Sequence, residues 1–173
     1  MRAARAVLLG FLCLAVPVRP VAQADDPWRR VFISDPLGQM TVRHALARAS
    51  ERLVDEECQA LFTSFKDSNG HPLAERLAAL GIAPKAYLHF VVFVESGQQG
   101  RCEGQELAYT VPGSRVVFVC VSRFEAGWRS HPVYAEAALI HEALHTLGLS
   151  ENPPSSSEIT ARVRQACRDK TKK

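Results

Sequence analysis

The most reactive stretch of this 173-residue chain is His141-Glu142-Ala143-Leu144-His145. Side chains four apart on an α-helix sit one turn above each other on the same face. Two imidazoles so placed can grip one metal ion. Glu142, between them, can hold a water against that ion and take its proton. The run continues through Thr146-Leu147-Gly148-Leu149-Ser150 to Glu151, a carboxylate three residues past a glycine. This chemistry needs a helix under the histidines.

The local sequence supplies one. Pro132 stands at a first helical position, where its missing N–H costs nothing. Val133 to Leu147 contains neither proline nor glycine, and Ala137, Ile140, Leu144 and Leu147 make one apolar stripe at helical spacing. Gly148 follows where a left-handed terminating residue is wanted. The bland alternative is an ordinary amphipathic helix with two polar histidines beside its core stripe.

His-Glu-x-x-His resembles the zincin signature, and the stretch is similar to the metzincin variant His-Glu-x-x-His-x-x-Gly-x-x-His, with Glu151 in place of the last histidine. In that branch the third ligand lies three residues after the glycine, because the helix ends there and the chain returns to the metal. The resemblance implies one Zn2+ per chain held by His141, His145 and Glu151, with Glu142 as general base. Two departures mark the chain. No methionine follows Met40 to form the metzincin methionine turn, and only 28 residues follow His145. In the gluzincin branch the third ligand is a glutamate on a later helix, which makes Glu158 the other candidate. A serine and glutamate capping pair already gives Glu158 a local role. The implied mechanism is hydrolysis of a peptide bond. Zinc polarises the carbonyl and activates a water, and Glu142 carries the proton to the leaving amine. The oxyanion needs a further donor. Tyr109, Tyr134 and His131 are the candidates, and each tyrosine reads better as a packed residue.

The elements that must position these groups can be read in turn. Val31-Phe32-Ile33-Ser34 is a short β-like run before a turn at Asp35-Pro36-Leu37-Gly38. Thr41 to Phe65 reads as a long helix capped by Thr41, with Val42, Ala45, Leu46, Ala49 and Leu53 inward and Arg48, Glu51, Arg52 and Asp55 toward solvent. Its apolar face shifts at Leu61, so a bend or break is expected near Cys58. Lys66 to Gly70 is a plain turn, since the further acidic ligands of a calcium loop are missing. Pro72 to Leu80 is a short helix stopped by Gly81. Pro84 then leads into a strand over 87–95, apolar enough for burial on both faces, in which His89 reads as a hydrogen-bonded core residue. Residues 106–111 and 115–122 form a hairpin about Pro112-Gly113-Ser114. Phe124 to His131 links it to the motif helix. Ser155-Ser-Ser-Glu158 caps a last helix from Ser156 to about Arg168.

The expected fold is α+β and zincin-like: a small mixed sheet of three or four strands, backed by the long helix, with the His-Glu-x-x-His helix below it and a short C-terminal helix. Substrate in such folds lies extended along an edge strand, here expected in the hairpin.

Residues 1–24 read as a secretory signal peptide. Arg2 and Arg5 precede an apolar run from Ala6 to Val18, too short to span a membrane, and Ala22-Gln23-Ala24 is a small-x-small cleavage site. A single domain over residues 25–173 is expected, secreted or periplasmic after a cut following Ala24. Removing Arg2, Arg5 and Arg19 leaves 18 basic against 18 acidic residues, so the positive charge belongs to the signal. No basic stripe remains except the tail from Arg168, and neither a nucleic acid nor, after signal removal, a membrane is an expected partner. Four cysteines remain: Cys58, Cys102, Cys120 and Cys167. No Cys-x-x-Cys pair occurs, and an even count in a secreted chain reads as two disulfides. Pairing outward from the hairpin turn brings Cys120 opposite Gln105 or Glu106. That motivates Cys102–Cys120, leaving Cys58–Cys167 to staple the long helix to the last one.

The expected function is therefore a secreted zinc metallopeptidase acting on a peptide or protein substrate. The alternative is a non-catalytic secreted zinc-binding domain on a degenerate zincin scaffold. The short segment after the motif favours it; Glu142, which a structural zinc does not need, argues against it. A disulfide-stapled domain without metal is the third reading.

Overall fold

The computed structural model describes residues 26–97 and 102–168. The expected signal segment 1–24 and its cleavage site lie outside the described residues.

Four strands and seven helices follow in the order β1 (Val31–Phe32), α1 (Pro36–Arg52), α2 (Glu56–Ser64), α3 (Leu73–Leu80), α4 (Pro84–Tyr87), β2 (Val92–Glu95), β3 (Ala108–Thr110), β4 (Val116–Val119), α5 (Val121–Ser130), α6 (Pro132–Thr146) and α7 (Ser156–Ala166). The sheet is mixed, in the order β1-β2-β4-β3. β1 runs parallel to β2, β2 parallel to β4, and β3 antiparallel to β4 with Thr110 opposite Val117. The hairpin thus places β3 at one edge. Helix α1 packs on β1 and α6, and α6 packs on β3 and β4. Val42, Leu46, Phe93, Phe124, Leu139, Ile140 and Leu144 belong to the core these layers enclose.

Several elements differ from the sequence reading. Asp35-Pro36 opens a helix instead of a turn: Asp35 Oδ2 accepts from the Gly38 amide at 2.5 Å, and Pro36 takes the first helical position. Gly38 is needed for close approach, since a Cβ there would overlap Val121 Cγ1 of α5. The long helix breaks after Arg52, where Asp55 caps α2 by accepting from the Glu57 amide at 2.9 Å. Arg52, expected in solvent, is buried against Glu136 of α6. The apolar run before β2 is not one strand: Pro84 starts the single turn of α4, and pairing begins only at Val92. His89 sits against Trp28, ring centroids 4.4 Å apart, instead of in a strand. The expected linker before the motif helix is α5, with Phe124 buried on its inner face.

Two disulfides join Cys58 to Cys167 and Cys102 to Cys120, with Cα–Cα distances of 4.6 and 5.5 Å. Cys120 lies opposite Leu107, to whose carbonyl its amide donates at 3.0 Å, one or two residues beyond the expected register. The first bridge holds α2, rather than the long helix, to the end of α7. Both bridges fit an oxidising compartment. No helix among the described residues is long and apolar enough to cross a membrane.

Candidate metal centre

Helix α6 carries the motif as the sequence requires. Pro132 begins it, and Gly148, at φ 104°, ends it. The Gly148 amide donates to the His145 carbonyl at 2.8 Å and the Leu149 amide to the Leu144 carbonyl at 3.3 Å. This paired closure reverses the chain after the last helical turn. It brings Glu151 back over the face that bears the histidines.

The two Nε2 atoms of His141 and His145 lie 2.9 Å apart. Glu151 Oε1 stands 3.3 Å from the His145 nitrogen and 3.8 Å from that of His141. The three donor atoms all fall within 4.8 Å of one another. Both imidazoles are buried, whereas the Glu151 side chain is 40% exposed and closes the group from the solvent side.

The other ring nitrogens have partners of their own. His145 Nδ1 donates to the Leu149 carbonyl at 2.7 Å. A carbonyl can only accept, so Nδ1 carries a proton and the tautomer this selects has its lone pair at Nε2. His141 Nδ1 bonds the Thr160 hydroxyl of α7 at 2.9 Å. That hydroxyl can rotate to accept, which frees His141 Nε2 in the same way. Burial, and then the charge of His145, push the His141 pKa down to about 3, so this ring stays neutral across ordinary pH. Two imidazole nitrogens and a carboxylate oxygen aimed at one point are a donor set that fits a divalent cation, with Thr160 and Leu149 orienting the rings.

Glu142 points into the same cleft. Burial, and then the Glu151 carboxylate, push its pKa up to about 8, while a backbone hydrogen bond from Thr110 pulls the other way. The cleft, of about 310 Å³, runs between β3 and the motif, lined by Glu106, Tyr109, Thr110, Glu142, His145 and Glu151 among others. The hairpin is tied to the centre at its tip, where the Gly113 amide donates to the His145 carbonyl at 2.8 Å.

Compared with protein-family models, with curated proteins and with solved structures, the chain matches none.

Among the sequence candidates, His141, Glu142, His145 and Glu151 come together. Glu158 does not: it lies in the first turn of α7, its amide donating to the Ser155 hydroxyl at 3.3 Å. Of the oxyanion candidates only Tyr109 lines the cleft. Its hydroxyl bonds Ser96 at 2.9 Å and its ring stacks on Phe118. His131 and Tyr134 sit at the opposite end of α6, roughly 15 and 10 Å from His141 at the rise of an α-helix. Thr160, the Leu149 carbonyl and the Gly113 amide escape sequence reading. Thr160 and Gly113 act through tertiary contacts for which no spacing rule exists, and the Leu149 carbonyl acts locally, four residues past His145, through the reversal that ends the helix.

Proposed function

We propose that this protein is a zinc-dependent peptidase of zincin type, acting outside the reducing cytoplasm. One observation carries the reading: His141, His145 and Glu151 converge at the mouth of a cleft that also holds the buried carboxyl of Glu142 and is walled by an edge strand. Two imidazoles with one carboxylate suit zinc. Held there, zinc would supply the Lewis acid that polarises a peptide carbonyl and activates water. Glu142 takes the proton of the attacking water and delivers it to the leaving amine. The outer edge of β3 offers backbone groups on which an extended peptide lies.

The test is metal content by elemental mass spectrometry, followed by hydrolysis of a mixed peptide library. About one zinc per chain, the stoichiometry of a single three-ligand centre, is expected. Library cleavage should vanish with His145→Ala together with the metal. A folded protein that refuses zinc would overturn the reading. Zinc uptake with no cleavage of any peptide would favour the non-catalytic zinc-binding alternative.

A further inference from the structure

Behind the hairpin tip lies a second pocket of about 380 Å³, separated from the metal cleft by the Pro112-Gly113 turn. Leu80, Ile82, Phe90 and Leu147 give it an apolar lining, and Arg76 and Arg115 stand at its walls. Leu80 is 57% and Phe90 39% exposed, so apolar surface stays open to solvent around it. No carboxylate is among the lining residues. Arg76 and Arg115 form no ion pair among the described residues; Asp67 reaches Arg76 only through its longer-range field. Both guanidiniums act on the Tyr87 hydroxyl, which places their positive field at the floor.

Several polar atoms of the floor and walls are already engaged. Tyr87 OH bonds Thr146 Oγ1 at 2.9 Å, and Thr146 donates to the Ala143 carbonyl at 2.7 Å. The amides of Ile82, Phe90, Gly113 and Leu147 donate to Leu77, Tyr87, His145 and Leu144, and the Arg115 carbonyl accepts from Val92. A peptide entering here would find few free amides for its carbonyls. A flexible aliphatic chain needs none, and its charged end would meet two arginines. The volume is at the small end of ligand sites, which suits a short chain rather than a long lipid.

We infer that this pocket binds a medium-chain aliphatic carboxylate, with the chain on Leu80, Ile82, Phe90 and Leu147 and the carboxylate between Arg76 and Arg115. The inference is independent of the zinc and peptidase reading.

Titration calorimetry with sodium octanoate tests it, on the full chain both loaded with zinc and chelated. Saturable binding of one octanoate per chain is expected in both forms. Arg76→Gln combined with Arg115→Gln should weaken it at least about tenfold, the effect of losing some 1.4 kcal/mol of charge-assisted contact. An unchanged melting temperature would show that the variant folds. On the unmutated protein 1-octanol, which lacks the charge, should bind at least about tenfold more weakly. No saturable binding, equal binding of 1-octanol, or indifference to the double substitution overturns the proposal. Binding that disappears on chelation would assign octanoate to the metal centre, and tighter binding of acetyl-leucyl-leucine would assign the pocket to peptides. Either result also overturns it.

Discussion

Helix α6 buries two glutamates six residues apart, and the protein treats them in opposite ways. Glu136 is 3% exposed and meets the guanidinium of Arg52, itself buried, whose other nitrogen donates to the Cys167 carbonyl at 2.9 Å. That carboxylate joins α1, α6 and the end of α7. Glu142 is 8% exposed, has no cation beside it among the described residues, and opens on a cleft. Burying a charge without a partner is costly, and the cost appears as the raised pKa of Glu142. One carboxyl is closed into the architecture, and the other is kept available. The difference teaches that burial alone does not set the state of a carboxyl; the presence or absence of a counter-charge does.

The sharpest way to break this contrast is Glu142→Gln. Peptide hydrolysis should fall by about 10²–10⁴-fold, the usual weight of a general base, with zinc content and melting temperature preserved. If instead the variant unfolds while its folded fraction stays active, Glu142 is structural and the contrast fails. At the other carboxylate, Arg52→Met leaves Glu136 buried and alone. Chemical denaturation should show a loss of about 3–5 kcal/mol, with zinc stoichiometry unchanged. Adding Glu136→Leu should restore much of it; failure to do so would mean that the Arg52 bond to Cys167 carries the stability. A smaller effect tests how the imidazoles are held. Thr160→Val should weaken zinc by about 10–100-fold in chelator competition without altering the fold, and unaltered affinity would remove Thr160 from the centre.

The smallest effect concerns a third buried ionisable group, Tyr87. Burial raises its pKa above the usual 10. The folded state therefore favours the neutral phenol. Its contribution to stability is complete below pH 10 and is lost as pH climbs through the folded-state value. Melting temperature should fall with alkali above pH 10, and less steeply in Tyr87→Phe. Equal slopes in the two proteins would show that Tyr87 is not the group responsible.

The centre was legible in the sequence because its geometry is local. Helical spacing aligns His141 with His145, and Gly148 dictates the reversal that returns Glu151. Where contacts between elements decide, sequence patterns mislead. Asp35-Pro36 is chemically both a turn and a helix start, and only the packing of Gly38 on α5 separates the two. Arg52 follows the polar side of α1, yet α6 and α7 enclose that side too, so amphipathic periodicity assigns it to solvent. The run 87–95 is apolar enough for strand or helix, and Pro84 resolves it toward a helical turn. Helix α5 starts without a side-chain cap, so nothing in the sequence marks its beginning, and its Gly127 admits the Leu107 side chain, which a Cβ would approach to 3.0 Å.

The bridge between Cys58 and Cys167 spans 109 positions of the chain. His141, Glu142, His145, Glu151 and Thr160 all lie inside the covalent ring it closes, as do β3, the hairpin tip and the second pocket. A single proteolytic nick anywhere in that ring opens it without releasing a fragment. A protein at work among proteases, or one that clips its own copies, could be cut once in an exposed loop and still keep every working residue tethered to the same molecule.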